Sequence, residues 1–232
     1  MGDRYWLWVG ARLLVGFAIV GWAISYLGTG SGEKEFQKTL DAMKQVHSFR
    51  VAFTANPRTQ HNDMLWEVDC NRDIVHHQWH FVETSTTPPT EINQDQMIVA
   101  GREYDRKSDG TWEPGRGFGQ GGSAKWFCGN LAQGTDSNIL PQIATMIRRG
   151  IIQKGDKKTV NGVRCREWLV TLKGGVSGLE HDTVCLGDDH LPYEMTVDWE
   201  HSRSSFSDYN APIQLEIPEA AIQPASNTNQ SN

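Results

Sequence analysis

Residues 193–199 read YEMTVDW, with an apolar side chain at every odd position and a polar one at every even position. Successive side chains of an extended chain point to opposite faces, so a period of two describes a strand with one buried and one wet face. The same alternation appears upstream in Val51 and Phe53, in Met64, Trp66 and Val68, and in Val75, His77, Trp79 and Phe81. It continues from Met97 to Tyr104, where Gly101 marks a turn or bulge, and the turn Lys107-Ser108-Asp109-Gly110 leads into Trp112. Further strands are read at Ile151 to Val160, Val163 to Leu172 and His181 to Leu186, with Asn161-Gly162 as a hairpin turn. Ser204 to Tyr209 and the spaced Ile213, Leu215 and Ile217 close the series. Consecutive strands joined by short turns, mostly with no helix between them, exclude a doubly wound parallel sheet and predict a long antiparallel one.

Two short helices are expected beside this sheet, which makes the fold class α+β. Glu33 to Ser48 carries Phe36, Leu40, Met43 and Val46 at three- and four-residue steps, with Ser31 placed to cap it. Ser137 to Arg149 forms the second, with Pro141 in its first turn and Gly150 as its stop. Between them residues 113–125, EPGRGFGQGGSAK, follow neither period. The chain thus divides into an export segment (1–30), one globular domain (31–218) and a polar tail (219–232) that ends QPASNTNQSN and has too little apolar content to fold.

Tyr5 to Leu27 is apolar apart from Arg12, long enough to cross a hydrocarbon core as a helix. Two readings fit it. It is either a retained inner-membrane anchor over residues 5–27, or a signal peptide with a core at Leu13 to Leu27 and small-residue cleavage sites at Ala23/Ser25 or Gly28/Gly30. Both send the domain out of the cytoplasm, because Arg4, Arg12 and the amino terminus outweigh Asp3. The expected location is therefore periplasmic or otherwise extracytoplasmic. No Cys follows the apolar stretch, so a lipid-attachment residue is missing.

Of the 22 basic and 28 acidic residues, setting aside Arg4, Arg12 and Asp3 leaves 20 against 27 on the exported part. An acidic surface with no basic run argues against nucleic acid as a partner. All four cysteines, Cys70, Cys128, Cys165 and Cys185, lie in the exported part, where disulfides are the default. Cys165 and Cys185 are equidistant from residue 175 in the turn-like GGVSG of 174–178, so a hairpin there sets them opposite each other. Cys70–Cys128 follows by elimination. The spacing offers no close Cys pair for zinc.

Gly117, Gly119 and Gly122 satisfy a dinucleotide fingerprint literally, but the strand and helix that give it meaning are absent from the pattern. His76 and His80 share one strand face; no carboxylate or third ligand is assignable to it, so no metal is expected and these histidines are read as solvent-facing. No nucleophile, base or metal motif in a recognisable context is present. The domain is expected to be neither an enzyme nor cofactor-dependent. What stands out is the aromatic load of the strands. Trp66, Val68, Trp79, Phe81, Tyr193, Met195, Val197 and Trp199 all fall on the apolar phase and are taken as one face, lining either a solid core or a cavity for an apolar ligand.

The order of an export segment, the helix TLDAMKQVHSFR, the run QMIVAGREYDRKSDGTWEPG, the pair NGVRCREWLV and LPYEMTVDW, and the close FSDYNAPIQLEIP resembles the LolA-like superfamily over about residues 33 to 218. The resemblance implies an unclosed antiparallel β-barrel, a half-barrel capped by short α-helices, that holds a lipid or the acyl chain of a lipoprotein in an apolar cavity. It also admits an envelope sensor or regulator that uses the same fold to bind an inner-membrane or envelope protein partner. The four cysteines and the Gly-rich insertion over 113–125 depart from the lipoprotein-carrier pattern, and the missing lipidation Cys departs from that of the lipidated members.

Overall fold

The computed structural model describes residues 32–56, 59–115, 123–124, 128, 150–173, 179–197 and 201–222. The expected export segment, the helix over 137–149, most of the Gly-rich insertion and the end of the tail lie outside the described residues. Within them the chain forms one helix at 32–43 (α1), then the strands β1 (Ser48–Ala55), β2 (Gln60–Asp69), β3 (Ile74–Glu83), β4 (Thr90–Val99), β5 (Arg102–Arg106) and β6 (Trp112–Pro114). The second half supplies β7 (Gly150–Val160), β8 (Val163–Lys173), β9 (Leu179–Gly187), β10 (Pro192–Val197), β11 (Ser202–Ser207) and a short helix α2 (Glu219–Ile222).

All eleven strands join one antiparallel sheet in the order β6-β5-β4-β3-β2-β1-β11-β10-β9-β8-β7. Two meanders therefore meet where β1 pairs with β11, the long-range contact that sets the ends of the domain side by side. With β6 and β7 as its two edges the sheet is unclosed, as expected for a half-barrel. The hairpin turns form where short-range chemistry asks for them. Asn161 and Gly162 take φ of 50° and 82°, and Ala100 and Gly101 take 49° and 76°, the left-handed pairs that match strand twist in two-residue turns.

Helix α1 lies on one face of the sheet, hereafter the inner face. Phe36, Leu40, Met43 and Val46 are buried against Phe49, Val51, Val68, Val75, Trp168, Val184, Met195 and Phe206. The helix is shorter than its apolar spacing predicts. It ends at residue 43, and Val46 joins the core from a turn closed by its N–H on the Met43 carbonyl (3.1 Å). Ser48 is already strand, its hydroxyl donating to the Ala211 carbonyl (2.8 Å), and pairing with distant chain overrides the local helical period.

Both disulfides form as expected, Cys70–Cys128 and Cys165–Cys185. The register of the second differs from the symmetric reading about residue 175. Cys165 faces Gly187 and Cys185 faces Glu167, so the bridge runs diagonally between β8 and β9 with a Cα–Cα distance of 5.5 Å. The hairpin is centred one residue later, and the diagonal still lies within reach of a disulfide.

Candidate functional site: the inner face of the sheet

Register converts the sequence alternation into rows that cross the sheet. One row runs Ile98, Val75, Val68, Phe49; the next runs Gln96, His77, Trp66, Val51, Phe206. A third runs Gln94, Trp79, Met64, Phe53, Ser204, Met195, Val184, Trp168, and a fourth Ile92, Phe81, Asn62, Ala55, Ser202, Val197, Asp182, Val170. The first two rows and the β8–β10 end of the third form the core under α1. On β2 and β3 the outer rows continue past that core with half-buried rings.

The residues singled out from the sequence separate accordingly. Val68 and Met195 are buried in the core; Trp66, Tyr193 and Val197 are half-buried and packed against it. Trp79 and Phe81 lie beyond the cluster, half-buried, with ring centroids 5.8 Å apart. Trp199 lies outside the described residues. Tyr193 is drawn aside by a bulge between Pro192 and Glu194: its hydroxyl donates to Asp189 (2.7 Å), its ring meets Tyr209 edge-on, and burial and the Asp189 carboxylate push its phenol up.

Polar groups interrupt this apolar face at defined points. His77 stacks on Trp66 with centroids 3.8 Å apart, and Trp79 donates its indole N–H to Asn62 (2.6 Å). Burial pushes the His77 imidazole down to about 4, more than its hydrogen bond with Gln96 raises it, so the ring is neutral at pH 7. Among the described residues His77 Nε2 and Gln94 Oε1 are buried without a hydrogen-bond partner. Such orphaned atoms are rare in folded proteins. The period of two placed His77 on this face, but Gln94 and Gln96 sit in TEINQDQ, whose alternation carries too few apolar residues to read.

A cleft of about 290 Å³ opens elsewhere, between α1 and β7–β9, lined by Glu35, Lys154, Arg166, Trp168 and His190 among others. It contains none of the eight predicted residues. Burial raises the Glu35 carboxyl, but hydrogen bonds from His190 (2.6 Å) and Lys38 outweigh this and hold it below its ordinary value. Glu35 and His190 thereby tie α1 to the β9–β10 turn, and the cleft walls are too charged for an acyl chain.

On the opposite face His76 is not solvent-facing. Its Nδ1 meets Glu67 (2.8 Å) and its Nε2 meets Asp95 (2.7 Å), with the Trp112 ring at its edge. Both carboxylates come from neighbouring strands, and only the register assigns them.

The unclosed antiparallel half-barrel with a helix on its inner face is a fold that solved structures share. LprF from Mycobacterium bovis superposes with a TM-score of 0.57 at 12% identity, covering 82% of this chain and 98% of that one. The Mycobacterium tuberculosis lipoprotein LppX gives 0.52 at 13% identity, with 81% and 99% covered. At such identities the likeness is one of fold. No family model and no curated protein matches the sequence.

Proposed function

We propose that the domain is an extracytoplasmic, non-catalytic carrier that binds a lipid or a lipoprotein acyl chain against the inner face of β2–β4. The observation that carries this reading is the combination of half-buried Trp79 and Phe81, beyond the core, with two orphaned polar atoms, His77 Nε2 and Gln94 Oε1, on the same face. An apolar wall with a few convergent polar groups is what an amphiphile needs: the rings take the chain, and the polar atoms take a donor-bearing end such as a hydroxyl, an amide or a protonated carboxyl, because the Gln94 amide oxygen only accepts. Each CH2 removed from water contributes about 0.8 kcal/mol, so a long chain is held without covalent chemistry. The two disulfides agree with an oxidising, exported location, and the shared fold of LprF and LppX supports the class.

The test uses the full chain purified without detergent, with native mass spectrometry for bound lipid and titration with a fluorescent fatty acid. Phe81→Glu is the informative variant, since Phe81 lies outside the core cluster beside Asn62 and Ile92. Val197 is a poorer probe, because its partner across β9 is the buried Asp182, and a second carboxylate there would destabilise the fold itself. The expected result is lost binding at a nearly unchanged unfolding midpoint. An empty wild-type protein that ignores the probe, or undiminished binding by folded Phe81→Glu, rejects the carrier reading. A stable crosslinked protein partner without lipid would replace it by the regulator reading.

A further inference from the structure

The outer face of the β2–β3 hairpin brings together three metal-ligating side chains that are scattered in sequence. Asp63 and His80 are direct cross-strand partners, and His61 stands two residues before Asp63 on the same face. One ligand atom of each lies within 4.8 Å of the others. His61 Nε2 is 2.6 Å from Asp63 Oδ2, while its Nδ1 is held by the Asn56 side-chain oxygen. His80 Nε2 stands 3.4 Å from the Glu91 carboxylate, contributed by β4. Two ligands of one tetrahedral zinc ion, each about 2.1 Å from the metal, lie about 3.4 Å apart, so small side-chain rotations suffice to close the set.

We propose that His61, Asp63 and His80, with Glu91 as an oxygen donor within reach, form a binding site for a divalent transition metal of the zinc type. Two imidazoles select against calcium and magnesium, which take oxygen donors. Asn56 supplies the supporting contact: accepting the Nδ1 proton of His61, it fixes the tautomer whose Nε2 lone pair faces the ion. A metal is ligated only by the neutral imidazole, so protons compete with it for the ring nitrogens and binding weakens as pH falls. The side chains are about two-fifths exposed, with relative accessibilities of 42%, 44% and 40%, which leaves an entry path and room for a water ligand.

The experiment is calorimetric titration of ZnCl2 into the full, untagged chain stripped with chelator, with the Co2+ absorption spectrum as a second readout. One zinc per chain is expected, with affinity at least tenfold weaker in His61→Ala and in His80→Ala and unchanged in His181→Ala on β9. Circular dichroism verifies that each variant is folded. If a variant fails to fold, imidazole NMR of the wild type decides: zinc shifts confined to His61 and His80 support the site, and shifts spread over other histidines overturn it. No zinc bound up to millimolar concentration, or wild-type affinity in both folded variants, also overturns it.

Discussion

His77 makes the stability of the domain pH-dependent in a direction that can be worked out. Buried against Trp66, the imidazole is pushed from its ordinary 6.5 down to about 4, so the folded state keeps it neutral where the unfolded chain protonates it. Between these values the unfolded state binds more protons, and stability rises with pH. Its contribution is fully present above pH 6.5 and is lost as the pH falls towards 4. Each pH unit in the window is worth up to about 1.36 kcal/mol, which puts the loss from pH 7.5 to pH 5 at about 2 kcal/mol. Urea unfolding of wild type and His77→Phe, followed by tryptophan fluorescence at pH 7.5, 6 and 5, isolates this term, because other titrating groups cancel in the difference. The wild type should lose about 2 kcal/mol relative to the variant over that range. A difference that stays flat with pH, or a titration midpoint for His77 at or above 6.5 by NMR, would refute the burial argument.

Other expectations follow from particular contacts. Lys158 on β7 bridges Glu167 (2.7 Å) and the buried Glu194 (2.6 Å), so Lys158→Met leaves two neighbouring carboxylates with less compensation. The third of Lys158 that stays in water lowers the cost to about 2 kcal/mol by urea unfolding, and a change near zero would show the pair to be inert. Replacing Cys165 and Cys185 together by Ala opens a 20-residue loop and should cost about 3 kcal/mol, while unreduced peptide mapping of the wild type should give Cys165–Cys185 and Cys70–Cys128 only. At Gly162, φ is 82° and an added Cβ would meet nothing within 4 Å, so Gly162→Ala isolates the conformational penalty of the left-handed turn. About 1 kcal/mol is expected from thermal unfolding, and a stabilised variant would contradict it.

The period of two in residues 194–197 and in VHHQWHF was enough to establish strands, their inner phase and an antiparallel meander, because alternation is a local consequence of backbone geometry. The turn at Asn161-Gly162 was equally legible, since the left-handed conformation is a property of those residues themselves. Long-range pairing was not. Helix α1 stops at residue 43 because Ser48 belongs to a strand that pairs with β11, more than 150 residues away, and apolar spacing carries no trace of that partner. Symmetry about residue 175 found the right cysteine pair but set it directly opposite, because register depends on where the turn places the strands, and one residue shifts every partner by two. The same limit hid the chemistry on both faces. Whether Asp63 faces His80, whether Glu67 and Asp95 close on His76, and whether Gln94 and His77 share a dry face are cross-strand facts. Where apolar and polar residues alternate without a bulge, sequence alone determined which side of the strand a residue occupies; only the tertiary structure decided which residue stands beside it, because hydrogen-bond register between distant segments is fixed by the whole sheet and its core.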